Sequence, residues 1–212
     1  MEHFTKTLLF IASISCILVH TNAVPTTRTP QARVWALCKP TTNPVLCYKT
    51  ILPRAFGKFN IYKALEVEVI ATQNQVKRTS SLIALLLAKQ SLSKSLRESL
   101  TTCQEQYSNM IDDIDITIKE VARRNVVEAR FKFSAVLSYQ ASCNDEFIDG
   151  PSPIANEAQG VYDLGGNSLD LMKAIEDREA RRESKKHSKP SSSSSSSPAV
   201  PNPCKGVIGI CG

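Results

Sequence analysis

The sequence predicts an all-α protein, with four bundle helices preceded by a short helical hairpin that a disulfide can staple. Three observations carry that expectation. Between Pro53 and Pro151 lie 97 residues without proline and with only Gly57 and Gly150 as glycines, which leaves few places to break a helix and no turn chemistry for a strand meander. Within that stretch apolar residues recur at steps of three and four, the spacing of one buried helix face. Finally, Cys103 and Cys143 stand equally far from residue 123 in a polar turn, as facing positions of an antiparallel helix pair would. With 212 residues, 42% hydrophobic and 22% charged, the chain fits one globular domain plus extra segments.

Residues 1–23 have a polar start with Lys6, an apolar run from Leu8 to Val19, and Thr21-Asn22-Ala23 at the end. Small residues there suit a signal peptidase, and the expected cut follows Ala23. The competing reading, a membrane anchor, fails on length: the run reaches about 18 Å as a helix against a hydrocarbon core of about 30 Å. Cleavage removes Cys16 and leaves Cys38, Cys47, Cys103, Cys143, Cys204 and Cys211. An even number of cysteines in an exported chain suggests disulfides.

The body is expected over 24–180. Asn43-Pro44 is a cap followed by proline at the first helical position, opening a short helix through Cys47. Cys38 precedes that start by five residues, so Cys38 and Cys47 can staple a small helical hairpin. A long helix at roughly 60–89 carries Ile61, Leu65, Val69, Val76, Ile83 and Leu87. The next carries Leu96, Leu100, Cys103, Tyr107, Met110, Ile114, Ile118 and Val121. After Arg123-Arg124-Asn125, Asn125 and Glu128 resemble a capping box that opens a helix over roughly 126–148 with Phe133, Val136, Gln140, Cys143 and Phe147. The resulting hairpin sets Cys103 opposite Cys143 at a spacing that a disulfide can close, a link that stabilises by about 4 kcal/mol in the chain-entropy model. Pro151-Ser152-Pro153 and Gly165-Gly166 read as irregular chain. Asn167 with Asp170 then reads as the cap of the last helix, bearing Leu169, Met172 and Ile175.

Residues 181–212 form a separate tail. Arg181-Arg182-Glu183-Ser184-Lys185-Lys186-His187-Ser188-Lys189-Pro190 and the Ser191–Ser197 run cannot bury apolar surface, so disorder is expected. Cys204 and Cys211 either close a small loop or cross-link two chains. The net charge of +6 is concentrated here: 24–180 holds 19 basic and 18 acidic groups, 181–212 holds 6 and 1. The only histidines are His3, His20 and His187, so the body has no imidazole for Ser-His-Asp, Cys-His or zinc chemistry. HExxH, GxSxG and phosphate-loop motifs are absent as well. No enzyme activity, catalytic residue, cofactor or metal is expected, nor a nucleic-acid partner, nor a lipid-anchor tail.

The cysteine spacing has a recognisable setting. Cys38 and Cys47 flank Thr42-Asn43-Pro44, and Cys103 opens Cys103-Gln104-Glu105-Gln106-Tyr107. Forty residues on, Phe133-Ser134-Ala135-Val136-Leu137-Ser138 leads to Ser142-Cys143-Asn144-Asp145-Glu146-Phe147. Together with Asn167-Ser168-Leu169, these closely resemble the plant invertase and pectin methylesterase inhibitor family over about 31–178. The resemblance implies a helical hairpin packed on an up-down four-helix bundle, with disulfides Cys38–Cys47 and Cys103–Cys143. It implies a secreted protein that binds a carbohydrate-active enzyme of the cell wall or vacuole and covers its substrate cleft. Some invertase inhibitors carry Pro-Lys-Phe in the turn before the fourth-cysteine helix, where this chain has Arg124-Asn125-Val126-Val127-Glu128; Phe131-Lys132-Phe133 lies too close to Cys143 to be that element. Many pectin methylesterase inhibitors have threonine before the fourth cysteine, and Ser142 keeps its hydroxyl. Pectin methylesterase is therefore the expected target. Invertase, or a non-inhibitory wall protein that binds pectin, is the alternative.

Glu105, Asp112, Asp113, Asp115 and Glu120 make one helix acidic, and Glu105, Asp112, Asp113 and Asp115 with Ser142 form the candidate target interface, since an enzyme that binds anionic pectin could present basic groups to them. A solvated helix face is the plain alternative. Trp35 reads as a packing anchor rather than a sugar platform. The basic tail either adheres to demethylated pectin or only solubilises the chain.

Overall fold

The computed structural model describes residues 29–55, 59–148 and 150–187. The export segment 1–23, the serine run and the Cys204 and Cys211 pair lie outside the described residues. Among those described there is no strand, and six α-helices follow one another: α1 Pro30–Cys38, α2 Pro44–Ile51, α3 Ile61–Leu87, α4 Lys94–Ala122, α5 Val126–Asp145 and α6 Ala155–His187, with a 3-10 turn at Leu52–Arg54. Helices α3 to α6 form an up-down bundle in which each touches two neighbours, α3 on α4 and α6, α5 on α4 and α6. The α1–α2 hairpin lies against α3 and α6.

Local chemistry sets the helix starts. Thr29, Asn43, Asn60, Ser93 and Asn125 each accept a backbone N–H of their first turn, and Pro30 and Pro44 occupy opening positions that need no donor. Arg124, at φ 61°, closes the turn between α4 and α5 in the left-handed region. Each periodic series then buries its face. Leu65, Val69, Val76 and Ile83 of α3, Leu100, Tyr107, Met110 and Ile114 of α4, and Phe133 and Val136 of α5 meet Leu171, Met172 and Ile175 of α6 with almost no exposure. Each such side chain contributes about 1.5–3 kcal/mol by leaving water.

Two expectations need correction at α6. Asn167 does not cap a helix: α6 starts at Ala155, and Gly165, Gly166 and Asn167 lie buried inside it. The glycines serve close packing. A Cβ on Gly165 would come 2.7 Å from Leu137 Cδ2, and one on Gly166 would come 2.6 Å from Thr42 Oγ1. The helix also runs to His187, so its last turns take up the start of the basic tail expected to be disordered from 181. Charge alone does not end a helix whose preceding turns are anchored on a core.

Candidate functional site: the outer face of the α4–α5 hairpin

Two disulfides hold the framework. Cys103 and Cys143 join α4 to α5 with Cα atoms 4.7 Å apart, and Cys38 joins Cys47 across the α1–α2 hairpin at 5.6 Å. All four cysteines are fully buried. At the Cys103 end the Ser99 hydroxyl also donates to the Glu146 carbonyl, 3.0 Å away.

The acidic residues of α4 do not form one patch. Glu105 and Asp112, seven residues apart, share a face of the helix and are exposed. Asp113 is half-buried. Asp115 accepts from the Gln73 amide of α3. Glu120 is consumed by the turn, where it pairs with Arg123 at 2.7 Å and accepts from Asn125 Nδ2 at 3.1 Å. Only Glu105 and Asp112 of the five therefore present carboxylates outward without one of these local ties.

Ser142 is exposed on α5, and its hydroxyl donates to the Ser138 carbonyl, 3.0 Å away. It lies at the far end of a stripe made by Val127, Phe131, Ser134, Ser138 and Ser142, spaced by fours and threes. The Ser134 and Ser138 hydroxyls likewise donate to carbonyls of their own helix, so the stripe is smooth and internally satisfied. Its other end is apolar: Val127 is 65% and Phe131 69% exposed, with Lys132 Nζ 5.5 Å from the Phe131 ring centroid. The sequence reading missed Phe131, although a signal existed. Val127 and Phe131 fall out of phase with Phe133, Val136, Gln140 and Cys143, so burying that set turns them outward. An exposed aromatic beside an exposed valine, with a lysine and a run of serines along the same helix face, has the composition of a docking site, an anchor inside a polar rim.

Between the hairpin, α3 and α6, a polar joint fixes the N-terminal hairpin to the bundle. Thr42 N and Oγ1 both donate to Asp170, at 2.7 and 2.8 Å. Asn43 Nδ2 donates to Asp163 at 2.9 Å. Asn167 Nδ2 donates to the Asn43 carbonyl at 3.2 Å and to Glu68 Oε1 at 3.0 Å. Glu68 is fully buried, its Oε2 has no partner, and burial pushes its carboxyl up to about 7 against the opposing pull of the Asn167 amide. Trp35 packs edge to face on Tyr48 at 5.7 Å and remains 44% exposed; its ring joins α1 to α2. Among the described residues no group of three or more His, Cys, Asp or Glu side chains is arranged to hold a metal, and no helix is long and apolar enough to cross a membrane.

A family model described as plant invertase/pectin methylesterase inhibitor matches residues 33–171. No curated protein sequence matches significantly. The crystal structure of a pectin methylesterase inhibitor from Arabidopsis thaliana is similar with a TM-score of 0.53 at 19% identity, covering 67% of this chain and 95% of that one. The crystal structure of mutant form A of a pectin methylesterase inhibitor from Arabidopsis gives a TM-score of 0.58 at 17% identity, covering 66% and 95%. At these identities the two structures speak to the fold alone.

Proposed function

Because the chain belongs to the plant invertase/pectin methylesterase inhibitor family, whose members are inhibitors rather than enzymes, we propose that it inhibits a pectin methylesterase by docking the outer face of α4 and α5 over the enzyme's substrate cleft. The family match over 33–171 carries this reading. In it, Phe131 and Val127 are the apolar anchors. Glu105 and Asp112 steer the approach to an enzyme whose cleft is basic because it binds anionic pectin. The Ser134, Ser138 and Ser142 stripe lets the partner come close without unpaired donors. The turn before α5, Arg123-Arg124-Asn125, supports pectin methylesterase over invertase: Arg124 folds back 5.1 Å from the Tyr62 ring centroid instead of projecting a Pro-Lys-Phe element. The Leu8 to Val19 run and Ala23 support export to the cell wall, with the vacuole as the alternative destination.

Titrating one pectin methylesterase and one acid invertase with the purified protein tests the target. Loss of methanol release near one equivalent, with sucrose hydrolysis untouched, is the expected result. The reverse pattern would reassign the target to invertase, and inhibition of neither would reject the reading.

A further inference from the structure

At one end of the bundle a groove of ≈ 640 Å³ falls within the about 300–1,000 Å³ of small-ligand sites. Four arginines from three separate parts of the chain line it: Arg33 of α1, Arg124 of the α4–α5 turn, and Arg178 and Arg182 one turn apart on α6. Among the described residues none of the four guanidiniums makes a salt bridge. The acidic residue lining the groove, Glu179, already accepts the Tyr62 hydroxyl. Arginines at i and i+4 repel each other, so this arrangement costs stability and creates a concave positive field.

We propose that this groove binds an acidic polysaccharide, a run of uronic acid residues with free carboxylates. A planar guanidinium pairs with a carboxylate through two parallel hydrogen bonds. Charges contributed by three elements match negative groups spaced along a polymer better than one compact anion. The choice of polymer rests on the proposed function: hydrolysing the methyl esters of pectin frees carboxylates on the polymer, and a groove that binds the demethylated product would hold the inhibitor where its target has been working. The basic tail, for which the sequence leaves pectin adhesion and plain solubilisation both open, then need not supply the whole of a pectin contact.

The test uses the full-length protein at low salt, with calorimetric titration of hexagalacturonate, its fully methyl-esterified form, and polyglutamate of equal charge. Hexagalacturonate should bind, the ester and polyglutamate should bind at least about tenfold more weakly, and Arg178→Gln with Arg182→Gln should cost at least about tenfold. Arg33→Gln, on a different element, should weaken binding in the same direction, and neither variant should melt below the wild type, since neutralising Arg178 and Arg182 relieves their repulsion. Absence of hexagalacturonate binding would overturn the proposal, as would full retention in the arginine variants, which would return the contact to the tail. Equal binding of polyglutamate would overturn it in favour of an acidic protein partner. Enzyme inhibition is measured separately: inhibition without sugar binding refutes the groove alone, and sugar binding without inhibition refutes the inhibitory function alone.

Discussion

Asn167, in the middle of α6, hydrogen-bonds both backbone groups of Asn43: its Oδ1 accepts the Asn43 N–H at 2.7 Å and its Nδ2 donates to the Asn43 carbonyl at 3.2 Å. One side chain thereby ties the start of α2 to the bundle and also reaches Glu68. Truncation in Asn167→Ala would leave these groups short of partners, at about 1–3 kcal/mol for each buried one. We expect a loss on the order of 3 kcal/mol in urea unfolding and faster amide exchange in α1 and α2. The exposed control Asn144→Ala should change stability by less than about 0.5 kcal/mol. Equal effects would mean that the hairpin is held by packing alone.

The same joint makes stability depend on pH. The Glu68 carboxyl titrates near 7 in the folded protein against an ordinary value of 4.5, so between those values the folded state keeps a proton that the unfolded state has lost. The contribution is fully present below about pH 4.5, falls as pH rises, and levels off above about pH 7, a total of roughly 3 kcal/mol. Melting of the wild type and Glu68→Gln from pH 4 to 8 checks this. The variant should lose most of the downward slope; parallel curves would place the pH dependence elsewhere.

The disulfides should differ in weight. Replacing Cys103 and Cys143 together by serine opens a cross-helix link with a sequence separation of 40, worth about 4 kcal/mol and roughly 10 °C in melting temperature. Cys204→Ser, beyond the described residues, should leave melting nearly unchanged. Equal losses would show that the terminal cysteines also brace the fold.

Charge on α4 should act on encounter rather than on fold. Neutralising Glu105 and Asp112 as Gln and Asn should slow association with pectin methylesterase several-fold and flatten its dependence on ionic strength, with little change in dissociation. Asp115→Asn should have a smaller effect, because Gln73 already holds that carboxylate. Stopped-flow association at several salt concentrations separates the two; identical slopes for all variants would make the acidic face simple solvated surface.

The bundle was legible in the sequence because its signal is local: Leu100, Cys103, Tyr107, Met110 and Ile114 repeat at the helix period and all point inward. The start of α6 was not. Gly165-Gly166-Asn167 looks like a break followed by a cap, and only the approach of Leu137 and Thr42 explains why a helix needs glycines there. Glu68 went unread for a related reason: three residues after Leu65 its spacing falls on the buried face, but an acid is ordinarily read as surface, and the Asn167 amide that meets it comes from a distant helix. In the candidate interface, charge was visible but its use was not. Asp115 and Glu120 are committed to Gln73 and to Arg123, partners set by tertiary packing and turn geometry.

The most direct measurement is an inhibition titration of a pectin methylesterase with the wild type and with Phe131→Asp, melting temperature recorded for both. Phe131 is 69% exposed, so the substitution should leave the fold intact while placing a charge at the apolar end of the docking face. We expect the wild type to abolish activity near one equivalent, and the variant to need at least about a hundredfold more protein, a loss of about 2.7 kcal/mol. Equal inhibition by the two proteins, or none by the wild type, would contradict inhibition through the α4–α5 face.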